Sequence, residues 1–303
     1  MTTHANQGPV ARASAGQWVE GARPRTLPAA ITPVVAATGV AAYEGGADVL
    51  LAFLALVVAL ALQVGVNFAN DYSDGIRGTD ADRVGPLRLV GSGLARPTSV
   101  RAAAFVSFGV AAVAGLVVVL LTGHWWLLAV GAASVLAAWY YTGGRRPYGY
   151  RGLGEVFVFV FFGLVATCGT AYVQAGRVTP AVLLAGVGVG ALATAILVAN
   201  NLRDLAGDAR AGKRTLATRL GDAGTRVLYG ALVGLAAVSV LGVAALTSWW
   251  ALLGLAGWGL VVPALRTVLA GGRGPALVTV LKATGTAELA AAALLAAGLV
   301  LAR

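Results

Sequence analysis

The sequence predicts an all-α fold: a polytopic membrane helical bundle with about nine transmembrane helices. Composition is the first reason. Of 303 residues, 58% are hydrophobic and only 11% are charged, whereas soluble domains carry about 25% charged residues. The second reason is how the apolar residues cluster. Uncharged runs such as Val49 to Phe68, Ala102 to Leu121 and Leu228 to Leu246 each approach the roughly 20 residues that a helix needs to cross a bilayer. The third reason is the placement of charge, which depends on counting the spans correctly.

Nine spans are expected, over residues 26–43, 49–69, 102–121, 125–141, 154–174, 180–199, 228–246, 248–265 and 283–301. Pro28 and Pro33 interrupt the first, and transmembrane helices tolerate proline better than soluble ones. With the N-terminus in the cytoplasm, 20 of the 22 basic residues fall on inner segments and only Arg177 and Arg303 on outer ones. That asymmetry follows the positive-inside rule, and one span more or fewer in the middle would scramble it. The net charge of +10 is thus accounted for by topology, and no nucleic-acid partner is needed. Membrane lipid is the expected surrounding. Residues 1–25 read as a cytoplasmic N-terminal segment without the apolar core of a signal peptide, and residues 26–303 as a single intramembrane domain. The only cysteine is Cys168, so no internal disulfide is possible.

The chemistry-bearing residues collect after spans two and six. If the second helix runs on through Asp74, then Asn67, Asp71 and Asp74 share one face at i, i+4 and i+7. Asn200, Asp204 and Asp208 share another at i, i+4 and i+8. The pattern Asn-x-x-x-Asp therefore closes two helices on the same membrane side. Carboxylates crowded in a low dielectric repel one another. Mg2+ relieves that repulsion, and it typically binds one or two carboxylates together with substrate phosphates. Basic residues stand nearby: Arg77, Arg83 and Arg88 after the first row, Arg203, Arg210, Lys213 and Arg214 around the second, and Arg145 and Arg146 after span four. Arginine pairs well with phosphate oxygens, although inner-face arginines also set topology. Asp80, Asp82 and Asp222 read equally well as solvated loop acids.

Trp139, Tyr140 and Tyr141 end span four. Their faces can stabilise a cation or anchor the helix at the interface. Glu288 lies inside span nine, where an ionisable group is a functional candidate or the partner of another buried polar group. Glu155 is expected to pair with Arg151 at i, i+4. A cation transporter with acid rows along an ion path is a rival reading. Such sites usually lie near the midplane, whereas these acids cluster at one face beside arginines.

The whole chain resembles the UbiA-type intramembrane prenyltransferases. Four stretches carry the likeness: "RPRTLPAAITPVV" from Arg23, "NDYSDGIRGTDADRVGPLRLVGSGL" from Asn70, "YRGLGEVFVFVFFG" from Tyr150 and "NNLRDLAGDARAGKRTLA" from Asn200. Together they are most similar to the branch that prenylates 1,4-dihydroxy-2-naphthoate for menaquinone synthesis. The resemblance implies an enzyme in the cell membrane with a polyprenyl diphosphate donor, that naphthoate as acceptor and Mg2+ as cofactor. It places the metal on Asn67, Asp71, Asp74, Asp204 and Asp208, the diphosphate on Arg83, Arg145 and Lys213, and cation stabilisation on Tyr141. Many members space the first two motif aspartates four apart. Here Asp71 and Asp74 are three apart, and the stretch also aligns through Asn70 and Asp74, with Asp80 as another possible ligand. Sibling enzymes that prenylate 4-hydroxybenzoate, homogentisate, haem or a glycerol phosphate would carry similar acid motifs.

Overall fold

The computed structural model describes residues 13–78 and 87–303. Among them the regular structure is entirely helical. A short helix α1 (Ala15–Gly21) precedes a 3-10 turn (Pro24–Thr26) and α2 (Leu27–Tyr43). There follow α3 (Val49–Arg77), α4 (Pro97–Thr122), α5 (Leu127–Tyr140), α6 (Gly154–Ala175), α7 (Pro180–Arg210), α8 (Leu216–Leu246), α9 (Trp249–Leu269) and α10 (Pro275–Leu301). Among the described residues, eight stretches are long and apolar enough to cross a membrane, the first being α1 with α2. The expected fourth span, 125–141, corresponds to α5, which has only 14 residues. Its length of about 21 Å falls short of the roughly 30 Å hydrocarbon core.

Each expected span has a helix as its counterpart, although only eight of the nine are long enough to cross, and most helices outrun their apolar stretch. α3 continues to Arg77, α7 to Arg210, and α8 begins at Leu216. α3 stops at Gly78, whose left-handed φ of 69° lets the chain turn and cap the last carbonyls.

The largest buried cluster lies among α7, α8, α9 and α10, and a separate one joins α3 and α4 around Phe68, Val100 and Phe108. α7 is the most enclosed span: 72% of its apolar window is buried, against 11% for α3. Alanines 191, 195 and 199 of α7 pack with Tyr229, Leu232 and Val233 of α8, Val261 and Ala264 of α9, and Leu277 and Val280 of α10. Small side chains let helices approach closely where lipid supplies no hydrophobic drive between them. Residues Phe159–Val165 of α6 take the wider π turn. A Cβ on Gly163 there would lie 2.6 Å from the Gly190 Cα and 2.7 Å from the Gly186 carbonyl of α7, so only glycine fits. The side formed by α5 is looser. α5 contributes no buried residue, and a large apolar chamber opens among α2 to α6.

Candidate active site

The chamber has a volume of about 810 Å3. Its wall is apolar for most of its length. Gln63, Asn67 and Asn70 of α3 face it together with Tyr141 and Tyr148 of the α5–α6 connection. An aromatic row runs along one wall. Tyr141 and Tyr148 meet edge to face at 5.6 Å, Tyr148 stacks on Phe157 at 4.0 Å, and Phe157 on Phe161 at 5.9 Å. The Tyr148 hydroxyl donates to the Ala137 carbonyl at 2.7 Å. Burial, helped by neighbouring Tyr141, pushes the Tyr148 phenol up, so the hydroxyl keeps its proton. Tyr148, Phe157 and Phe161 were not singled out in the sequence, where aromatics in an apolar run look like ordinary packing.

The first polar row is buried as a block, with Asn67 at 3% exposure, Asp71 at 1% and Asp74 at 3%. Its members nevertheless meet different partners. The Asn67 amide donates to the Ala22 carbonyl and to Thr26 Oγ1, both at 2.9 Å, pinning the turn ahead of α2. Both Asp71 oxygens accept backbone amides of the 87–93 turn, from Leu89 at 2.7 Å and from Val90 at 3.1 Å. Gly75 makes room for that segment, because a Cβ there would lie 2.4 Å from Val90 Cγ1. Asp74 accepts from the Tyr150 hydroxyl and lies 3.5 Å from Arg88 Nη2. Asn70 accepts from Thr142 Oγ1 at 2.7 Å. Asn70 and Asp74 thus point toward the α5–α6 connection, while Asp71 points toward the 87–93 turn. Asp80 and Arg83 lie outside the described residues.

In the second row, Arg203 grips Asp204 with two bonds, at 2.7 and 2.8 Å, and donates to Asn200 Oδ1 at 2.8 Å. Asp208 lies 3.8 Å from the Lys213 ammonium. Lys213 in turn sits 4.6 Å over the Tyr150 ring. Arg77 donates to the Thr142 and Gly144 carbonyls and to the Ser73 carbonyl, so it organises the connection. Arg145 is exposed on that same connection. Glu155 accepts from Asn201 at 2.9 Å, and no Arg151 pair forms. Asn201 lies across on α7, and the helix of Glu155 starts only at Gly154, so Arg151 is not one turn away on the same helix. Glu288 lies elsewhere, on a separate void of about 30 Å3 among α2, α7, α8, α9 and α10.

Among the described residues no three acidic, histidine or cysteine side chains converge on one point. The donors form two separate rows of oxygens. Such a set suits a hard cation that keeps phosphate oxygens among its ligands, and it does not suit a closed protein cage.

A multi-pass bundle around an apolar chamber, with polar rows at the ends of α3 and α7, is the build of an intramembrane enzyme for lipid-like substrates. This chain belongs to the UbiA prenyltransferase family, matched over residues 30–274. It is 56% identical over 277 residues to a 1,4-dihydroxy-2-naphthoate octaprenyltransferase of Mycobacterium tuberculosis, covering 91% of this chain and 94% of that one. It is 54% identical over 290 residues to the enzyme so named from Mycobacterium leprae, covering 96% and 98%. Among solved structures, a UbiA homologue from Archaeoglobus fulgidus bound to GPP and Mg2+ superposes with a TM-score of 0.61 at 13% identity, over 93% of this chain and 99% of that one. That last likeness speaks for the fold alone.

Proposed function

We propose that this chain transfers a polyprenyl group from polyprenyl diphosphate to 1,4-dihydroxy-2-naphthoate, with loss of CO2, as a step of menaquinone biosynthesis. The observation that carries this reading is the long apolar chamber, about 810 Å3, whose wall includes Asn70 and an aromatic row headed by Tyr141. The named relatives support the choice of acceptor. The reading sets the enzyme in the plasma membrane, with its N-terminus and acid rows on the cytoplasmic side.

Mg2+, when bound, would neutralise the diphosphate so that it can depart. Among Asn67, Asp71, Asp74, Asp204 and Asp208, the contacts favour Asp74 and Asp208 as ligands, with Asn70 beside Asp74, and Asp204 would join them by exchanging its Arg203 pair for metal. Asn67 and Asp71 hold the surrounding turns. On this reading Asn70-x-x-x-Asp74 is the counterpart of Asn200-x-x-x-Asp204. Lys213 and Arg145, with Arg83, meet the diphosphate oxygens. As the C–O bond at prenyl C1 breaks, its electron pair leaves with diphosphate. The allylic cation lies against the Tyr141 face. The ring carbon bearing the carboxylate forms the new C–C bond, and CO2 departs leaving its bonding pair to restore the aromatic ring. The chamber wall keeps water from quenching the cation.

The test is a product assay on membranes that contain the protein, supplied with polyprenyl diphosphate, Mg2+ and the naphthoate. Prenylated, decarboxylated product that disappears with chelator and returns with added Mg2+ is expected. Turnover with 4-hydroxybenzoate instead would keep the chemistry and change the acceptor. No diphosphate release with any acceptor would sink the reading.

A further inference from the structure

Tyr150 touches both halves of the polar site. Its hydroxyl donates to Asp74 Oδ1 of α3. Its ring lies 4.6 Å beneath the Lys213 ammonium of the α7–α8 connection, and the Arg77 guanidinium lies 5.7 Å from the same ring. Its carbonyl accepts the Arg214 amide at 3.0 Å, and the next carbonyl, of Arg151, accepts Arg219 Nη2 at 2.7 Å. Gly152 permits this approach. Its φ is 75°, and a Cβ there would lie 3.1 Å from the Arg214 carbonyl. The connection is thus fastened from behind while the tyrosine side chain projects forward.

We propose that Tyr150 is a positioning residue that sets the two acid rows against each other, its hydroxyl orienting the Asp74 carboxylate and its ring seating the Lys213 ammonium. The inference rests on the reading that these rows hold a metal and a prenyl diphosphate. With the Tyr150 hydroxyl on Oδ1 and Arg88 Nη2 3.5 Å from Oδ2, the Asp74 carboxylate is held in a fixed orientation, and such anchors commonly govern metal affinity. Lys213 ends a flexible four-carbon stem. An aromatic face below it and Asp208 at 3.8 Å beside it confine the ammonium where a diphosphate oxygen can reach it. The two functions of Tyr150 separate chemically: phenylalanine keeps the ring and loses the hydroxyl, and leucine loses both.

The test uses the full-length protein in lipid nanodiscs, with wild type, Tyr150→Phe and Tyr150→Leu compared. Mn2+ binding is read by electron paramagnetic resonance, and binding of a non-reacting prenyl thiolodiphosphate is read by tryptophan fluorescence. Tyr150→Phe should weaken Mn2+ binding about tenfold and leave analogue affinity at saturating metal within about twofold of wild type, since the cation–π seat survives. Tyr150→Leu should show the same Mn2+ loss and a further loss of analogue affinity of about fivefold or more. Unchanged Mn2+ binding in Tyr150→Phe would overturn the hydroxyl's role. Equal analogue affinity in the Phe and Leu variants would overturn the ring's. Wild-type protein that binds neither probe would overturn the functional reading itself, which the variants alone cannot do.

Discussion

Asp71→Ala separates two roles that one acid can play. The Asp71 carboxylate is 1% exposed and accepts the Leu89 and Val90 amides at 2.7 and 3.1 Å. Hydrogen bonds to a charged group contribute about 1.5–3 kcal/mol each. Removing both should therefore cost the docking of the 87–93 turn at least about 3 kcal/mol, and each ~1.4 kcal/mol is a tenfold change in an equilibrium. The Leu89 and Val90 amides should then exchange with deuterium on the order of 100-fold faster. Because that turn brings Arg88 to Asp74, the donor KM should rise more than kcat falls. Asp74→Asn should behave in the opposite way, with near-normal exchange at 87–93 and a raised Mg2+ requirement. Exchange by mass spectrometry and Mg2+ titration of turnover decide between them. If Asp71→Ala left exchange untouched and shifted the Mg2+ requirement as Asp74→Asn does, Asp71 would be a metal ligand and the anchoring argument would be wrong.

Gly75→Ala should loosen the same turn by about 1–3 kcal/mol through its clash with Val90, again read by exchange at 87–93. Tyr141→Phe should retain most turnover, while Tyr141→Leu should lower kcat by about tenfold if the ring face stabilises the cation by 1–2 kcal/mol. Steady-state kinetics at saturating donor checks this pair. Glu288→Gln should leave turnover within about twofold, because Glu288 borders the small void and not the chamber, and replacing an acid by its amide conserves volume.

The spans were readable from the sequence because lipid demands long apolar runs and arginines gather between them. The polar ends of α3 and α7 were not. Hydropathy fades at Phe68 and Val198, but the backbone stays helical to Arg77 and Arg210. Spacing also left the first row ambiguous for a geometric reason. At about 100° per residue, Asp74 falls between Asn70 and Asp71 around the helix, so either pairing defines a plausible face. Only the rotation of α3 against its neighbours decides which residue turns to the α5–α6 connection. Tyr150 was invisible as a site residue because its partners Asp74 and Lys213 are distant in the chain, and no local period links them.

The π turn of α6 acts as a counting device. Phe159–Val165 holds about one residue more per turn than an α-helix would. Relaxing these residues to α with none removed would swing Ala166–Ala175 by about 100° relative to the aromatic row. Gln174 would then leave Thr38, now 3.1 Å away on α2, and the Asp48 amide at 3.2 Å. Surface connections absorb gained or lost residues by changing shape; here the π turn itself absorbs the extra residue, and losing the turn without losing the residue would misalign a whole wall of the chamber.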